Sequence, residues 1–271
     1  MALSFFLAYL LLPLLKDMIV KAGFVRPNYN GKEVPLGVGL LFLFVPLFVF
    51  VLTLLFIEDE TLRLLTVVYL FVTAIMALLG LIDDVFGSRE TTGFKGHFKH
   101  LWHGRLTTGA LKAIGGLVVA VFASLATAPW DEVVLNSLLI ALAANTLNLL
   151  DLRPGRAGKG FLVGAALLCG AGWGHPVLIL LATVTGTLLA YLPSDLKAEA
   201  MMGDTGSNVL GVSLGLVAVW ILSVPTKIAL VVALVAIHFL AEKYSFTRII
   251  EGNRVLHFFD RLGRKEEFSK K

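Results

Sequence analysis

Cysteine is all but missing. Cys169 stands alone among 271 residues, which excludes an intrachain disulfide, and its place in an apolar run reads as core filler. Charge is also scarce: Asp, Glu, Lys and Arg make up 15% of the chain against 57% hydrophobic residues. A soluble domain carries about 25% charged and about 45–50% apolar residues. With a mean hydropathy of +0.85, this balance excludes a soluble domain hung on one anchor and indicates an integral membrane protein. The apolar runs lack the alternation of barrel strands, and no clear internal repeat is visible. No basic flank precedes the first run, Met1 to Leu15, and no clear small-residue cleavage site marks it, so it reads as a retained helix rather than a removed signal.

What remains is a set of apolar runs, most near the length of about 20 residues that lets a helix span a bilayer. Backbone in lipid must satisfy its own hydrogen bonds, so repeated runs of this length predict an all-α, polytopic transmembrane bundle. Nine spans are expected, at Ala2–Val20, Pro35–Ile57, Leu62–Ile82, Leu106–Ala128, Val133–Leu150, Gly160–Trp173, His175–Leu192, Ser207–Ser223 and Thr226–Leu240. Pro129, Pro176 and Pro225 fall in short connectors that reverse the chain. The division is a catalytic bundle over 1–242 and a basic amphipathic tail over 243–271.

The basic residues orient the bundle. Of the 23 Lys and Arg, all but Arg63, Lys112 and Lys227 fall in loops after odd-numbered spans or in the tail. Those loops hold Lys16 to Lys32, Arg89 to Arg105, Arg153 to Lys159, and Lys197. The positive-inside rule then puts the N-terminus outside and the C-terminus in the cytoplasm of a plasma-membrane protein, and an odd span count agrees. The formal charge of +4 reflects that rule and not nucleic-acid binding.

Acidic and amide residues gather at the same ends. Asp83 and Asp84 close the third run, Asn145, Asn148 and Asp151 leave the fifth, and Asp204 opens the eighth within Gly203-Asp204-Thr205-Gly206-Ser207. A fourth polar patch follows Glu242. Carboxylates near lipid are costly and tend to be functional. Each feature has a plainer reading too. Asp83-Asp84 is either a solvated helix end or a cation site, although negative charge there opposes the helix dipole. Lys112 either snorkels to the interface or faces the bundle to neutralise a carboxylate or phosphate. The three-residue spacing of Asn145, Asn148 and Asp151 serves helix–helix hydrogen bonding, or a sugar, a nucleotide or a metal's water shell. Arg153, Arg156 and Lys159 form either a positive-inside loop or a phosphate-binding turn. Asp204 is either an N-cap or an anion-site and metal residue at a helix N-terminus. His97, His100 and His103 share a loop, but no cysteine supports a zinc site. His257 lies in an amphipathic tail that either rests on the membrane surface, the favoured reading, or covers the site.

In this order the motifs resemble the polyprenyl-phosphate N-acetylhexosamine-1-phosphate transferase superfamily, glycosyltransferase family 4, as a divergent member. Val34-Pro35-Leu36-Gly37-Val38-Gly39 is similar to its Pro-x-x-Gly-Gly stretch, and Leu81-Ile82-Asp83-Asp84 to its Asp-Asp motif. Asn145-Thr146-Leu147-Asn148-Leu149-Leu150-Asp151 is similar to its Asn-x-x-Asn-x-x-Asp motif, and Gly203-Asp204-Thr205-Gly206-Ser207 to its Gly-Asp-x-Gly-Ser motif. Lys112 falls where the family carries a helix lysine, and Pro154 stands where it has a second Asp. The resemblance implies transfer of a sugar-1-phosphate from a UDP-sugar to undecaprenyl or another polyprenyl phosphate, with release of UMP, in cell-envelope glycan synthesis. It implies Mg²⁺, or Mn²⁺, held by Asp204 with Asp83, Asp84 and Asp151, and catalytic work by these residues and Lys112. Asn145, Asn148, Arg153, Arg156 and His257 would bind substrate, and a homodimer is implied. A catalytically inactive lipid-phosphate scaffold and a secondary transporter of an anion are the rival readings.

Overall fold

The computed structural model describes residues 1–87, 100 and 103–264. Its helices are α1 (Ala2–Lys21), α2 (Leu41–Leu54), α3 (Glu60–Phe86), α4 (Thr108–Thr127), α5 (Val133–Leu150), α6 (Arg156–Ala171), α7 (Leu178–Leu196), α8 (Gly203–Ile221), α9 (Val224–Lys243), α10 (Phe246–Gly252) and α11 (Arg254–Arg261). An antiparallel hairpin, β1 (Val25–Pro27) and β2 (Glu33–Pro35), pairs Val25 with Pro35 and Pro27 with Glu33. The chain is therefore an all-α, multi-pass bundle, with one small hairpin among the described residues.

Local chemistry sets several helix starts. Asp59 accepts from the Leu62 amide at 2.6 Å to cap α3, and Thr107 accepts from the Ala110 amide at 3.1 Å to cap α4. Pro225 sits in the first turn of α9, where a missing N–H costs nothing.

Every expected span falls on a helix, and seven helices among the described residues are long and apolar enough to cross a membrane. The other two are shorter. α2 has 14 residues, or 17 with the apolar 3₁₀ turn before it, and α6 has 16. At 1.5 Å per residue α6 reaches about 24 Å, short of a hydrocarbon core of about 30 Å. Several boundaries differ from expectation: α2 begins at Leu41 rather than Pro35, and α6 at Arg156 rather than Gly160. α3 continues to Phe86 and takes Asp83 and Asp84 into its last turn, α7 runs through Pro193 to Leu196, and α8 begins at Gly203 rather than Ser207.

α8 is the core. It packs against α3, α5, α6, α7 and α2, and most of its length is buried. In lipid the hydrophobic effect does not drive helices together, so close packing of small residues must. Gly211 and Gly215 leave no space for a Cβ against Ala143, Ala144 and Ile140 of α5. Hydrogen bonds add to this: Tyr69 Oη with Ser213 Oγ at 2.6 Å joins α3 to α8, and Trp220 Nε1 donates to Thr127 Oγ1 at 3.0 Å to join α8 to α4. Such contacts are worth about 0.6 kcal/mol each. Phe44, Phe48, Phe71, Val118 and Leu167 face outward, as a lipid-facing belt requires.

The hairpin, the α5–α6 turn and the α7–α8 segment lie at one end of the bundle. Met201 N donates to Pro35 O at 2.9 Å, Val38 N to Met201 O at 3.1 Å, and Asn28 Nδ2 to Ala198 O at 3.0 Å.

Candidate active site

Adjacent residues on a helix point about 100° apart, so Asp83 and Asp84 serve different neighbours. Asp84 turns to the N-terminus of α8. Its Oδ1 accepts from the Asp204 amide at 2.9 Å, and its Oδ2 accepts from the Thr205 amide at 3.0 Å and the Thr205 hydroxyl at 2.7 Å. A carboxylate on the free amides of a helix start is electrostatically favoured. It fixes the turn that carries Asp204.

That contact needs glycine. Gly80 lies one turn before Asp84, and a Cβ there would strike the Asp204 carbonyl and the Thr205 amide. Gly203 has φ +66°, and a Cβ on it would strike the Asp84 carboxylate. Gly39, from the Pro-x-x-Gly stretch, abuts Gly206 and the Met202 carbonyl just as closely.

Asp83 turns the other way. Lys112 Nζ donates to Asp83 Oδ2 at 2.9 Å and also to Asp204 Oδ2. One ammonium from α4 thus joins carboxylates from α3 and α8. The three side chains are 19–26% exposed, so they are screened but reachable. The Lys112 ammonium thus faces carboxylates of the bundle.

Asp151 caps α5 at the same end. Burial, followed by repulsion from Asp195, Asp204 and Asp84, pushes its carboxyl well above the ordinary range. The four expected carboxylates therefore converge on one end of the bundle and share one electrostatic environment. Asp83, Asp84 and Asp204 against Lys112 alone leave excess negative charge there.

The remaining expected residues divide. Asn148 Nδ2 donates to Asn208 Oδ1 at 3.3 Å, linking α5 to α8. Asn208 Nδ2 and Ser207 Oγ are buried without a partner among the described residues, while Asn145 is exposed. Arg153 lies over the Tyr29 ring at 5.3 Å. Arg156 differs from expectation. It is buried in a two-pronged ion pair with Asp260, Nε to Oδ1 at 2.8 Å and Nη2 to Oδ2 at 3.0 Å. Its carboxylate partner comes from α11, so this guanidinium docks the tail. His257, on the same helix, has a buried Nδ1 without a partner among the described residues. His97, with Arg89, Lys95 and Lys99, lies outside the described residues.

Sequence reasoning missed Asp195 and Asp260. Asp195 is buried and accepts from the Gly155 amide at 2.9 Å, fixing the turn after Asp151. Like Asp83 it is a carboxylate ending an apolar run, which was the available signal. Asp260 is the acidic residue of the amphipathic tail helix, and nothing local points to its partner.

Hard carboxylate oxygens suit Mg²⁺. Among the described residues no three His, Cys, Asp or Glu side chains form a ready-made cage. Mg²⁺ commonly needs only one or two carboxylates, with substrate phosphates and water completing its shell. Asp83 and Asp204 fit that requirement, whereas the oxygens of Asp84 are already engaged.

The family model for Glycosyl transferase family 4 matches residues 66–222, more than half the chain. The chain belongs to glycosyl transferase family 4. The matched segment of this family 4 member holds Asp83, Asp84, Lys112, Asn145, Asn148, Asp151 and Asp204. Family membership with a multi-pass bundle supports a membrane-embedded phosphoglycosyl transferase activity in general. No curated protein matches the chain.

Proposed function

We propose that this family 4 member moves a sugar-1-phosphate from a UDP-sugar to polyprenyl phosphate, such as undecaprenyl phosphate, at the cytoplasmic face of the plasma membrane. One oxygen of the lipid phosphate attacks the sugar-bearing phosphorus. The bond from that phosphorus to the bridging oxygen breaks, and UMP leaves with the electron pair. The observation that carries this reading is Lys112 held between Asp83 and Asp204, three charged groups from three helices at one end of the bundle.

Both substrates are anions, so the site must offset repulsion and align the groups in line more than supply covalent chemistry. A phosphate monoester has its second pKa near about 6, so the acceptor needs little help to lose its proton. When bound by Asp204 and Asp83, Mg²⁺ or Mn²⁺ would supply charge neutralisation at the phosphates. Lys112 would hold a phosphate oxygen. Asp84 positions Asp204 through the first turn of α8. Asn145, Asn148, Asp151 and Arg153 would position the nucleotide sugar. A site at the end of the spans suits a lipid whose tail stays in the bilayer while its phosphate reaches water.

The test is UMP release from a panel of UDP-sugars, with and without polyprenyl phosphate and Mg²⁺. Release that needs the lipid is expected. Asp204→Ala should lower turnover by about 10²–10³, the scale for removing one charge-stabilising group, while the protein still folds and inserts; full activity in that variant refutes the metal role. No release with any donor would favour a lipid-phosphate scaffold. Uptake into vesicles would favour a transporter, although that function calls for broken helices at the midplane and α8 is continuous.

A further inference from the structure

Beyond α9 the chain turns back and lays α11 across the site end of the bundle. One face of α11 is tied down. Asp260 takes the Arg156 guanidinium, Lys159 Nζ donates to the Asp260 and Phe259 carbonyls at 2.7 and 3.0 Å, and Arg264 Nε donates to Pro154 O at 2.7 Å. The other face is apolar and open. Val255, Phe258, Phe259 and Leu262 follow the i, i+3, i+4, i+7 stripe of an amphipathic helix, and each is more than half exposed. They lie past Lys243, where the last long apolar helix ends, so the lipid-facing belt of the spans does not account for them.

We infer that α11 is an interfacial helix whose apolar stripe sits in the headgroup–acyl boundary of the adjacent leaflet, and that this leaflet carries anionic lipid. Three observations select that occupant. The helix lies at the level where the long spans end, which is where an in-plane amphipathic helix belongs. Its surroundings are cationic: residues 246–264 hold Arg248, Arg254, Arg261 and Arg264 against Glu251 and Asp260, and Asp260 is committed to Arg156 and Arg264. A second copy meeting this face about a two-fold axis would set arginines against arginines, whereas an anionic surface attracts them. Finally, eight residues are too few to hold a helix alone in water; docking on Arg156 and Lys159 presents the stripe already formed. The same contacts tie the helix to the turn that follows Asp151, so the leaflet, the tail and that turn form one mechanical unit.

The test uses the full chain in nanodiscs. In a Cys169→Ala background, Phe258→Cys carries an environment-sensitive fluorophore, and Glu251→Cys serves as the reference position. With nitroxide lipids in phosphatidylglycerol discs, the label at 258 should be blue-shifted and quenched several-fold more than the label at 251. Water-like emission at 258 overturns the inference, as does quenching that appears only when two copies share a disc. Hydrogen exchange on the unmodified chain guards against a misfolded variant. The amides of 254–261 should exchange roughly tenfold or more slowly in anionic than in phosphatidylcholine discs, as expected for two arginines near a charged surface. Equal rates overturn the anionic requirement.

Discussion

Lys112 is one charge serving two carboxylates, and its loss should be felt twice. Lys112→Met leaves Asp83 and Asp204 facing each other without a counter-charge. Breaking a buried pair by removing one partner costs about 3–5 kcal/mol, and the partial exposure of this cluster places the cost toward the lower end. Turnover should fall about 100-fold or more, the scale of a lost charge-stabilising group, measured as lipid-dependent UMP release. Lys112→Arg keeps the charge but replaces a compact ammonium with a planar fork, so an intermediate rate is expected; an unchanged rate in both variants would remove Lys112 from the mechanism. Gly80 gives a sharper geometric test. In Gly80→Ala the new Cβ meets backbone atoms of Asp204 and Thr205, which cannot rotate away. Overpacking of this kind costs about 1–3 kcal/mol and should also displace Asp204, so stability and activity fall together. Gly170→Ala on α6 meets open space and should gain about 0.5–1 kcal/mol from helix propensity alone. Thermal unfolding of the two variants in one detergent separates a site-specific clash from a general intolerance of alanine.

At the scale of elements, the tail is held by a carboxylate between two guanidiniums. Burial alone would raise the Asp260 carboxyl, but Arg156 and Arg264 outweigh it and hold the group below its ordinary range. A carboxylate depressed in the docked state stabilises docking above its free value of about 3.9, and that stabilisation is lost as pH falls through the depressed value. Docking of α11 should therefore persist through neutral and mildly acidic pH and fail only in stronger acid, and Asp260→Asn should undock it at every pH. A fluorophore at a cysteine replacing Leu262, in the Cys169→Ala background, reports both. The same element shows where sequence reasoning stops. Span positions are legible because apolar length and basic flanks are local properties. The start of α8 is not: Gly203 to Gly206 reads as loop, since its cap, Asp84, comes from α3 and no local window contains it. The expected span ends at Leu192, whereas α7 carries Pro193 inside and runs to Leu196. The convergence of Asp83, Asp151 and Asp204 on one end was legible from the order of their runs. The engagement of Arg156 was not, because its partner lies 104 positions away.

For the whole molecule, the charge distribution argues that the site end faces the cytoplasm. Lys16, Lys21, Arg26, Lys32, Arg153, Arg156, Lys159, Lys197 and the arginines of the tail all lie there. At the far end only Arg63 and Lys227 are basic among the described residues, and each is paired, Arg63 with Glu60 at 2.8 Å and Lys227 with Glu132 at 2.7 Å. Glu58, Asp59 and Asp131 join them, so the far end carries net negative charge. Lys and Arg excess in short loops marks the cytoplasmic side, and the UDP-sugar proposed above as donor requires the same orientation. Impermeant thiol labelling of intact cells decides the matter. In the Cys169→Ala background, Trp130→Cys, in the exposed far-end connector, should label from outside. Asn30→Cys, at the tip of the hairpin beside the site, should label only after the membrane is opened. The reverse pattern would place the carboxylates outside the cell, away from any UDP-sugar, and the transfer reaction would have to be abandoned even though the bundle and its Asp83–Lys112–Asp204 contact stood unchanged.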